Sequence, residues 1–194
     1  MEIGATKAVQ DRLKTTKIEE SKGASLVFCW DTHLTKIKGR NVLFIVNASN
    51  RYTIAMTDIE PRNWNYYTMY IRSVIHGVMQ EMGYSEDQIG QYFKMSGDTT
   101  VTKTHGRKSV GGINRMVMDA QYFGKKLEKE AKYQWELSEY LNRDICQPEG
   151  FDAYGYPSEL FKLDMERLGI AAKRKPAKVI GFAQYIENNR GTND

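Results

Sequence analysis

Two side chains that could support acid–base or metal chemistry, Asp31 and His33, lie two positions apart. On a β-strand, residues i and i+2 point to the same side, so both side chains could reach one ion. A usable site needs a third ligand; Asp58, Asp98 and His105 are the candidates, and the spacing favours none of them. We therefore favour a surface aspartate and a hydrogen-bonded histidine. A metal-dependent nuclease or phosphoesterase using Asp31 and His33 stays open as an alternative.

Neither cysteine has the surroundings of a nucleophile. Cys29 lies in an apolar stretch between Phe28 and Trp30, which favours an inert core thiol. Cys146 ends a predicted helix, where the helix dipole disfavours a thiolate. With only two cysteines, we expect reduced thiols of a cytoplasmic protein. We expect no catalytic residue, no resident metal and no cofactor.

Basic residues cluster before and within a predicted helix that starts near Ser109. The residues GRKS at 106–109 resemble the end of a phosphate-binding loop, but Val101 occupies the place of its first glycine, so this is not a Walker A motif. A helix N-terminus is nevertheless an anion site, and glycines allow a backbone to approach closely. The candidate residues for binding a nucleic acid or partner in this region are Lys103, His105, Arg107, Lys108 and Arg115.

A turn-rich aromatic segment, PEGFDAYGYP at 148–157, follows the basic region. Aromatic residues among glycine and proline are hard to bury, and tyrosine is typical of interface hot spots. We therefore add Tyr154 and Tyr156 to the candidate partner-binding residues. The segment also marks the predicted boundary between an α+β domain at 1–146 and a helical extension at 147–194.

Composition limits the classes of protein that this chain can represent. Of its 194 residues, 41% are hydrophobic and 27% are charged, which is typical of a globular domain with one sizeable core. The net charge of +4 excludes an acidic mimic of DNA. The longest apolar run, Val42–Val46, is far shorter than the ~20 residues that a membrane-spanning helix needs. The first residues contain no apolar segment of a secretory signal, so we expect a cytoplasmic protein without a membrane partner.

Hydrophobic periodicity predicts an α+β fold. Residues 41–46 and 51–57 form a predicted antiparallel hairpin, extended by 26–30, and residues 2–6 and 99–103 are shorter predicted strands. Helices are expected at 64–82 and from Ser85 to about Ser96. We expect a small antiparallel sheet that is covered by helices on one face.

The remaining helical patterns lie in the C-terminal half. A single long helix is expected from Ser109 to about Cys146, because apolar residues recur there at three- to four-residue steps. The extension contains two short helical patterns, at 158–168 and 177–189. A further basic cluster, Lys173-Arg174-Lys175, lies between them.

Three stretches together resemble a known family. They are Ala5-Thr6-Lys7, the region from Trp30-Asp31-Thr32-His33-Leu34 through Arg40–Asn47 to Asn50-Arg51-Tyr52, and Thr102-Lys103-Thr104 with Arg107 and Asn114-Arg115. Over roughly residues 1–122 the chain resembles the bacterial and phage-borne domain-of-unknown-function family 6933. The signature residues are Trp30, Asp31, His33, Asn47, Arg51 and Tyr52. The family usually has histidine directly after the tryptophan, whereas here Asp31 follows Trp30. The resemblance implies phages and mobile elements as the genomic setting and implies no activity.

These observations favour a non-enzymatic binding protein that targets a nucleic acid or a nucleoprotein complex. Given the phage-like resemblance, an inhibitor of a host defence nuclease is a concrete form of this hypothesis. Such an anti-CRISPR-like protein would bind a CRISPR effector nuclease. A third hypothesis is a protein-interaction module that assembles, for example as a homodimer, through the long helix.

Overall fold

The structure, a computed structural model, describes residues 1–15 and 18–172. In these ranges one five-stranded sheet is accompanied by seven α-helices. The strands are β1 (Glu2–Ala5), β2 (Cys29–Ile37), β3 (Arg40–Asn47), β4 (Thr53–Thr57) and β5 (Thr100–Thr102). The helices are α1 (Lys7–Leu13), α2 (Pro61–Asn65), α3 (Tyr67–Glu81), α4 (Glu86–Ser96), α5 (Gly106–Gln121), α6 (Trp135–Asn142) and α7 (Pro157–Arg167). The predicted α+β class is confirmed.

The sheet is mixed rather than purely antiparallel. Its strand order is β4-β3-β2-β1-β5. The pairs β2–β3 and β3–β4 are antiparallel, as the hairpin prediction requires. Strand β1 instead lies between β2 and β5 and runs parallel to both. The chain between β1 and β2 includes α1, and such a crossover brings the next strand back in the same direction.

Helices cover both faces of the sheet, and the expectation of one covered face is wrong. On β3, Leu43 and Ile45 point to the first face and join a core that includes residues of α3, α4 and α7. Phe44 and Val46 point to the second face, where they contact a smaller core formed with α5 and α6. Burial on both sides explains why β3 is a continuous apolar run instead of an alternating one.

The single long helix expected from 109 to 146 is absent. Helix α5 ends at Gln121 and α6 begins at Trp135. Between them the backbone of Lys132 accepts a hydrogen bond from Thr57, and that of Gln134 donates one to Ala55, at 2.7 and 2.9 Å. The segment therefore covers the outer edge of β4, whose backbone groups would otherwise lack partners. This tertiary pairing overrides a helical pattern in the sequence.

Two predictions for the first-face helices have different outcomes. The predicted helix 64–82 is divided into α2 and α3 at Tyr66. The start of α4 is as expected: Ser85 accepts a hydrogen bond from the backbone N–H of Gln88, and the Gln88 side chain accepts one from the backbone of Ser85. This reciprocal pair is a capping box.

Helix α7 packs on the first-face core. The centroid of the Phe161 ring lies 6.1 Å from that of Trp30 and 5.2 Å from that of Tyr52. Thus part of the predicted extension contacts strand β2 and the residue that precedes β4. The division at 146/147 stays a prediction. The second helical pattern at 177–189 and the basic cluster at 173–175 lie outside the described residues.

No helix in the described ranges is both long enough and apolar enough to cross a bilayer.

Replacing Phe161 by alanine tests whether α7 belongs to this core. Phe161 is 1% exposed, so Phe161→Ala should lower the free energy of unfolding by about 3–5 kcal/mol. Leu163→Ala, in the same helix but 38% exposed, is the control and should cost less than about 1 kcal/mol. Denaturant unfolding measures both, and equal costs would show that α7 does not depend on this contact.

Candidate functional site

Three chain segments converge on one buried polar cluster at the second face of the sheet. Glu2 lies in β1, Asp31 lies in β2, and His105 immediately precedes α5. The parallel register places Gly4 beside Asp31, and Glu2 beside Cys29. We call Glu2, Asp31 and His105 the buried triad; their side chains are 5%, 0% and 3% exposed.

Asp31 is the centre of the triad. Its Oδ1 lies 2.7 Å from His105 Nδ1, and the backbone N–H of His105 donates to the same carboxylate at 3.2 and 3.3 Å. The hydroxyl of Ser109, in the first turn of α5, donates to Oδ2. The start of α5 is therefore fixed to β2 through a buried carboxylate.

His105 connects Asp31 to Glu2. Its Nε2 lies 3.0 Å from Glu2 Oε2, and Glu2 also accepts hydrogen bonds from Ser21 Oγ at 2.6 Å and the Lys22 backbone at 2.8 Å. Burial alone would lower the pKa of His105, but its interactions with Asp31 and Cys29 raise it to about 10. Burial would raise the pKa of Glu2, but its hydrogen bonds hold it below the usual value. The triad is an imidazolium between two carboxylates.

Gly4 provides the space for the Asp31 carboxylate. A Cβ atom at position 4 would lie 1.8 Å from Asp31 Oδ1 and 3.0 Å from the Cα of Thr104. Sequence analysis missed Glu2, Gly4 and Ser109 as members of the site. The only local signal was His105, named there as a third-ligand candidate for Asp31.

Asp31 and His33 do not form the proposed pair. The Nδ1 atom of His33 lies 3.2 Å from the hydroxyl of Thr6, and burial lowers the pKa of His33. Both oxygens of Asp31 are occupied by His105 and Ser109. The carboxylate therefore uses a partner distant in sequence instead of its neighbour two positions away.

Other signature residues build the core and the β3–β4 turn. Trp30 donates from its indole nitrogen to Tyr92 Oη at 2.9 Å, and Tyr52 is buried beside Phe161. Asn47 accepts hydrogen bonds from the backbone of Ser49 and Asn50 and donates to the carbonyl of Val27. These contacts give Trp30, Asn47 and Tyr52 structural roles.

Arg51 joins the same turn to α5. It has a positive φ of 62°, and its guanidinium donates to the carbonyl of Gly112 at 3.1 Å. A Cβ atom at position 112 would lie 3.2 Å from Arg51 Nε, so glycine allows this close approach.

The cations predicted to bind a partner lie on the surface around the start of α5. Lys103 forms an ion pair with Glu20, and Arg115 forms one with Asp119 at 3.3 Å. Lys108 lies 4.0 Å from Glu149. Arg107 is exposed, and its guanidinium has no ion pair or hydrogen bond with the part of the chain that the structure describes. We call Lys103, Arg107, Lys108 and Arg115 the basic surface. His105 is buried beneath it.

The aromatic loop, residues 148–157, lies beside the basic surface. Tyr154 and Tyr156 are 70% and 50% exposed. The contact between Lys108 and Glu149 joins the start of α5 to this loop. The structure thus brings together two features that the sequence analysis treated separately.

A cleft of about 600 Å³ lies elsewhere, between the end of α5 and α6. Trp135 and Tyr140 line it, and its charged side chains include the ion pair Lys125–Glu136. None of the triad or basic-surface residues lines this cleft.

The fold and site define a mixed-sheet α+β protein with a buried acid–histidine cluster beneath a basic surface. The family model described as Domain of unknown function (DUF6933) matches residues 2–160. The chain belongs to this family, as the sequence resemblance predicted, and the match extends beyond the predicted residues 1–122. No curated protein and no solved structure matches the chain. The matched region includes the triad, the basic surface, Tyr154 and Tyr156.

Gly4→Ala tests the space requirement of the triad. The added methyl group displaces the Asp31 carboxylate, so the free energy of unfolding should fall by about 1–3 kcal/mol. Gly90→Ala is the matched control, because Gly90 lies in α4 with open space around it, and alanine there should stabilise by up to about 1 kcal/mol. If Gly4→Ala left the free energy of unfolding unchanged, the Asp31 carboxylate would not be held tightly.

Asp31→Asn tests the pairing of Asp31. It keeps the shape of the side chain and leaves the buried His105 with Glu2 as its one remaining carboxylate partner in the triad, which should cost about 3 kcal/mol or more. In double-mutant cycles, Asp31→Asn should couple to His105→Gln by at least about 1 kcal/mol and be additive with His33→Gln within about 0.5 kcal/mol. Coupling of Asp31→Asn to His33→Gln, together with additivity toward His105→Gln, would show instead that Asp31 pairs with His33.

Proposed function

We propose that this chain is a non-catalytic binding protein whose basic surface and aromatic loop bind a nucleic acid or a nucleoprotein complex. The observation that carries the proposal is the contact between Lys108 and Glu149, which makes these two regions neighbours. Cations that follow a phosphate backbone beside aromatic side chains that stack on bases are the usual means of binding single strands.

The charges of the basic surface are accessible to such a partner. Lys103, Lys108 and Arg115 are 57%, 51% and 69% exposed at the side chain; of their acidic neighbours, Glu20 and Glu149 are exposed and Asp119 is partly buried. Exposed ion pairs contribute little to stability, so a phosphate can replace the carboxylate without a large penalty. Arg107 forms no ion pair with the described residues, so a phosphate would not have to replace a carboxylate there.

The geometry at Asp31 supports a non-catalytic role. The metal-dependent alternative requires Asp31 and His33 to reach one ion and a substrate, but Asp31 is fully buried and bound to His105 and Ser109. The interaction-module alternative required one long helix, and the structure has α5 and α6 instead. The binding hypothesis depends on neither feature.

The anti-CRISPR-like form of the proposal has its basis in the family resemblance. It identifies the partner as a CRISPR effector nuclease and places phosphate-facing cations against the nucleic-acid channel of that partner. Capture of partners from bacterial lysate by the tagged chain tests it. If the chain is an inhibitor of a nuclease, it should still capture one large protein after nuclease treatment of the lysate. If it binds nucleic acid directly, the captured material should disappear after that treatment. Light scattering on the purified chain tests for a homodimer.

Reversing two charges tests the basic surface. Fluorescence anisotropy with a labelled single-stranded oligonucleotide should show affinity that falls steeply with salt. Arg107→Glu with Lys108→Glu should weaken binding by about tenfold or more and reduce the salt slope by about two, because two phosphate contacts are lost. Unfolding should be unchanged.

The matched control is Lys126→Glu with Lys129→Glu. Both residues are exposed, lie between α5 and α6, and change the net charge equally. Binding that survives the Arg107 and Lys108 reversal, or that falls as much in the control, would show that the surface is wrong.

A further inference from the structure

The buried triad has a fourth chemical group beside it. The thiol of Cys29 is fully buried on β2, next to Glu2 in the parallel register. One ligand atom each from Glu2, Cys29 and His105 lies within 4.8 Å of the other two. None of these groups belongs to the basic surface, so a ligand bound by the cluster goes beyond the proposed function.

We propose that Glu2, Cys29 and His105 form a binding site for a divalent transition metal of the zinc class. The donor atoms are a carboxylate oxygen, a thiolate sulfur and an imidazole nitrogen. Zinc combines these three donor types in proteins, whereas calcium and magnesium require oxygen ligands. The donor set therefore selects a borderline-soft ion.

The distances are compatible with such an ion after small side-chain movements. Bonds of roughly 2.0–2.3 Å in tetrahedral geometry separate neighbouring donor atoms by roughly 3.5 Å. Glu2 Oε2 and His105 Nε2 are 3.0 Å apart and must separate slightly, while the widest pair must approach from at most 4.8 Å. All three residues belong to fixed elements: β1, β2 and the residue that precedes α5.

Asp31 has the position of an outer partner to a metal-bound histidine. Its Oδ1 lies 2.7 Å from His105 Nδ1, so Nδ1 would keep its proton when a metal ion replaces the Nε2 proton that now faces Glu2. Carboxylate–histidine–metal arrangements of this kind fix the tautomer and orientation of the ring. Asp31 is a positioning residue here and not a ligand.

Metal binding at this site releases protons. The ion replaces the protons on His105 Nε2 and Cys29 Sγ, and these protons go to solvent. The ligand atoms are then a carboxylate oxygen, an imidazole nitrogen and a thiolate sulfur.

Titration with Zn²⁺ and Co²⁺ tests the site. After treatment with a chelator, isothermal titration calorimetry should give one Zn²⁺ per chain with a Kd of about 1 µM or below. Co²⁺ should give a near-ultraviolet thiolate-to-cobalt charge-transfer band. Zn²⁺ should also raise the thermal unfolding midpoint, because it binds the folded state.

Matched variants separate this site from adventitious binding. Cys29→Ser and His105→Gln should each weaken Zn²⁺ binding by about 100-fold or more. Cys146→Ser and His76→Gln remove the other thiol and an exposed histidine and should leave binding unchanged. No binding by the unaltered chain, binding without the charge-transfer band, or loss of binding in Cys146→Ser would each overturn the proposal. The band is measured on the unaltered chain, so the test holds even where a variant does not fold.

Discussion

The ion pair between Asp31 and His105 is the contact on which the region around the start of α5 depends. It joins the middle strand of the sheet to the first residues of α5, and the carboxylate is satisfied by His105 and Ser109. Burying charges is costly, and breaking such a pair leaves an uncompensated charge in a low-dielectric interior. The pair therefore holds the start of α5 at a position where both groups are satisfied.

The second face of the sheet has a polar end and an apolar end. Along β2, Asp31 belongs to the triad, whereas Ile37 on the same face belongs to the apolar core beneath α5 and α6. Gly4 is required at the polar end because the carboxylate occupies the volume of a side chain there. Helix α5 therefore has one end fixed by charge and the rest held by apolar packing.

The two proposals concern different groups in this region: exposed cations for the first and a buried cluster for the second. The basic surface consists of long, exposed cations whose surface ion pairs contribute little to stability. The buried cluster consists of short side chains held by several hydrogen bonds, which suits a ligand that demands fixed geometry. The triad nevertheless positions Arg107 and Lys108, because it fixes the turn at Gly106, where φ is +88°. The buried triad therefore holds both regions in place, although the basic surface and the buried cluster would bind ligands of different chemistry.

The sequence by itself determined the α+β class, the β3–β4 hairpin, the α4 cap and the family, because these depend on local periodicity, capping residues and contiguous motifs. Tertiary structure alone decided the rest. It inserted β1 between β2 and β5, and it replaced one long helix by a segment paired with the edge of β4. It also gave Asp31 a partner that lies far away in the chain instead of His33, because a buried carboxylate takes whichever donors the packing brings within reach.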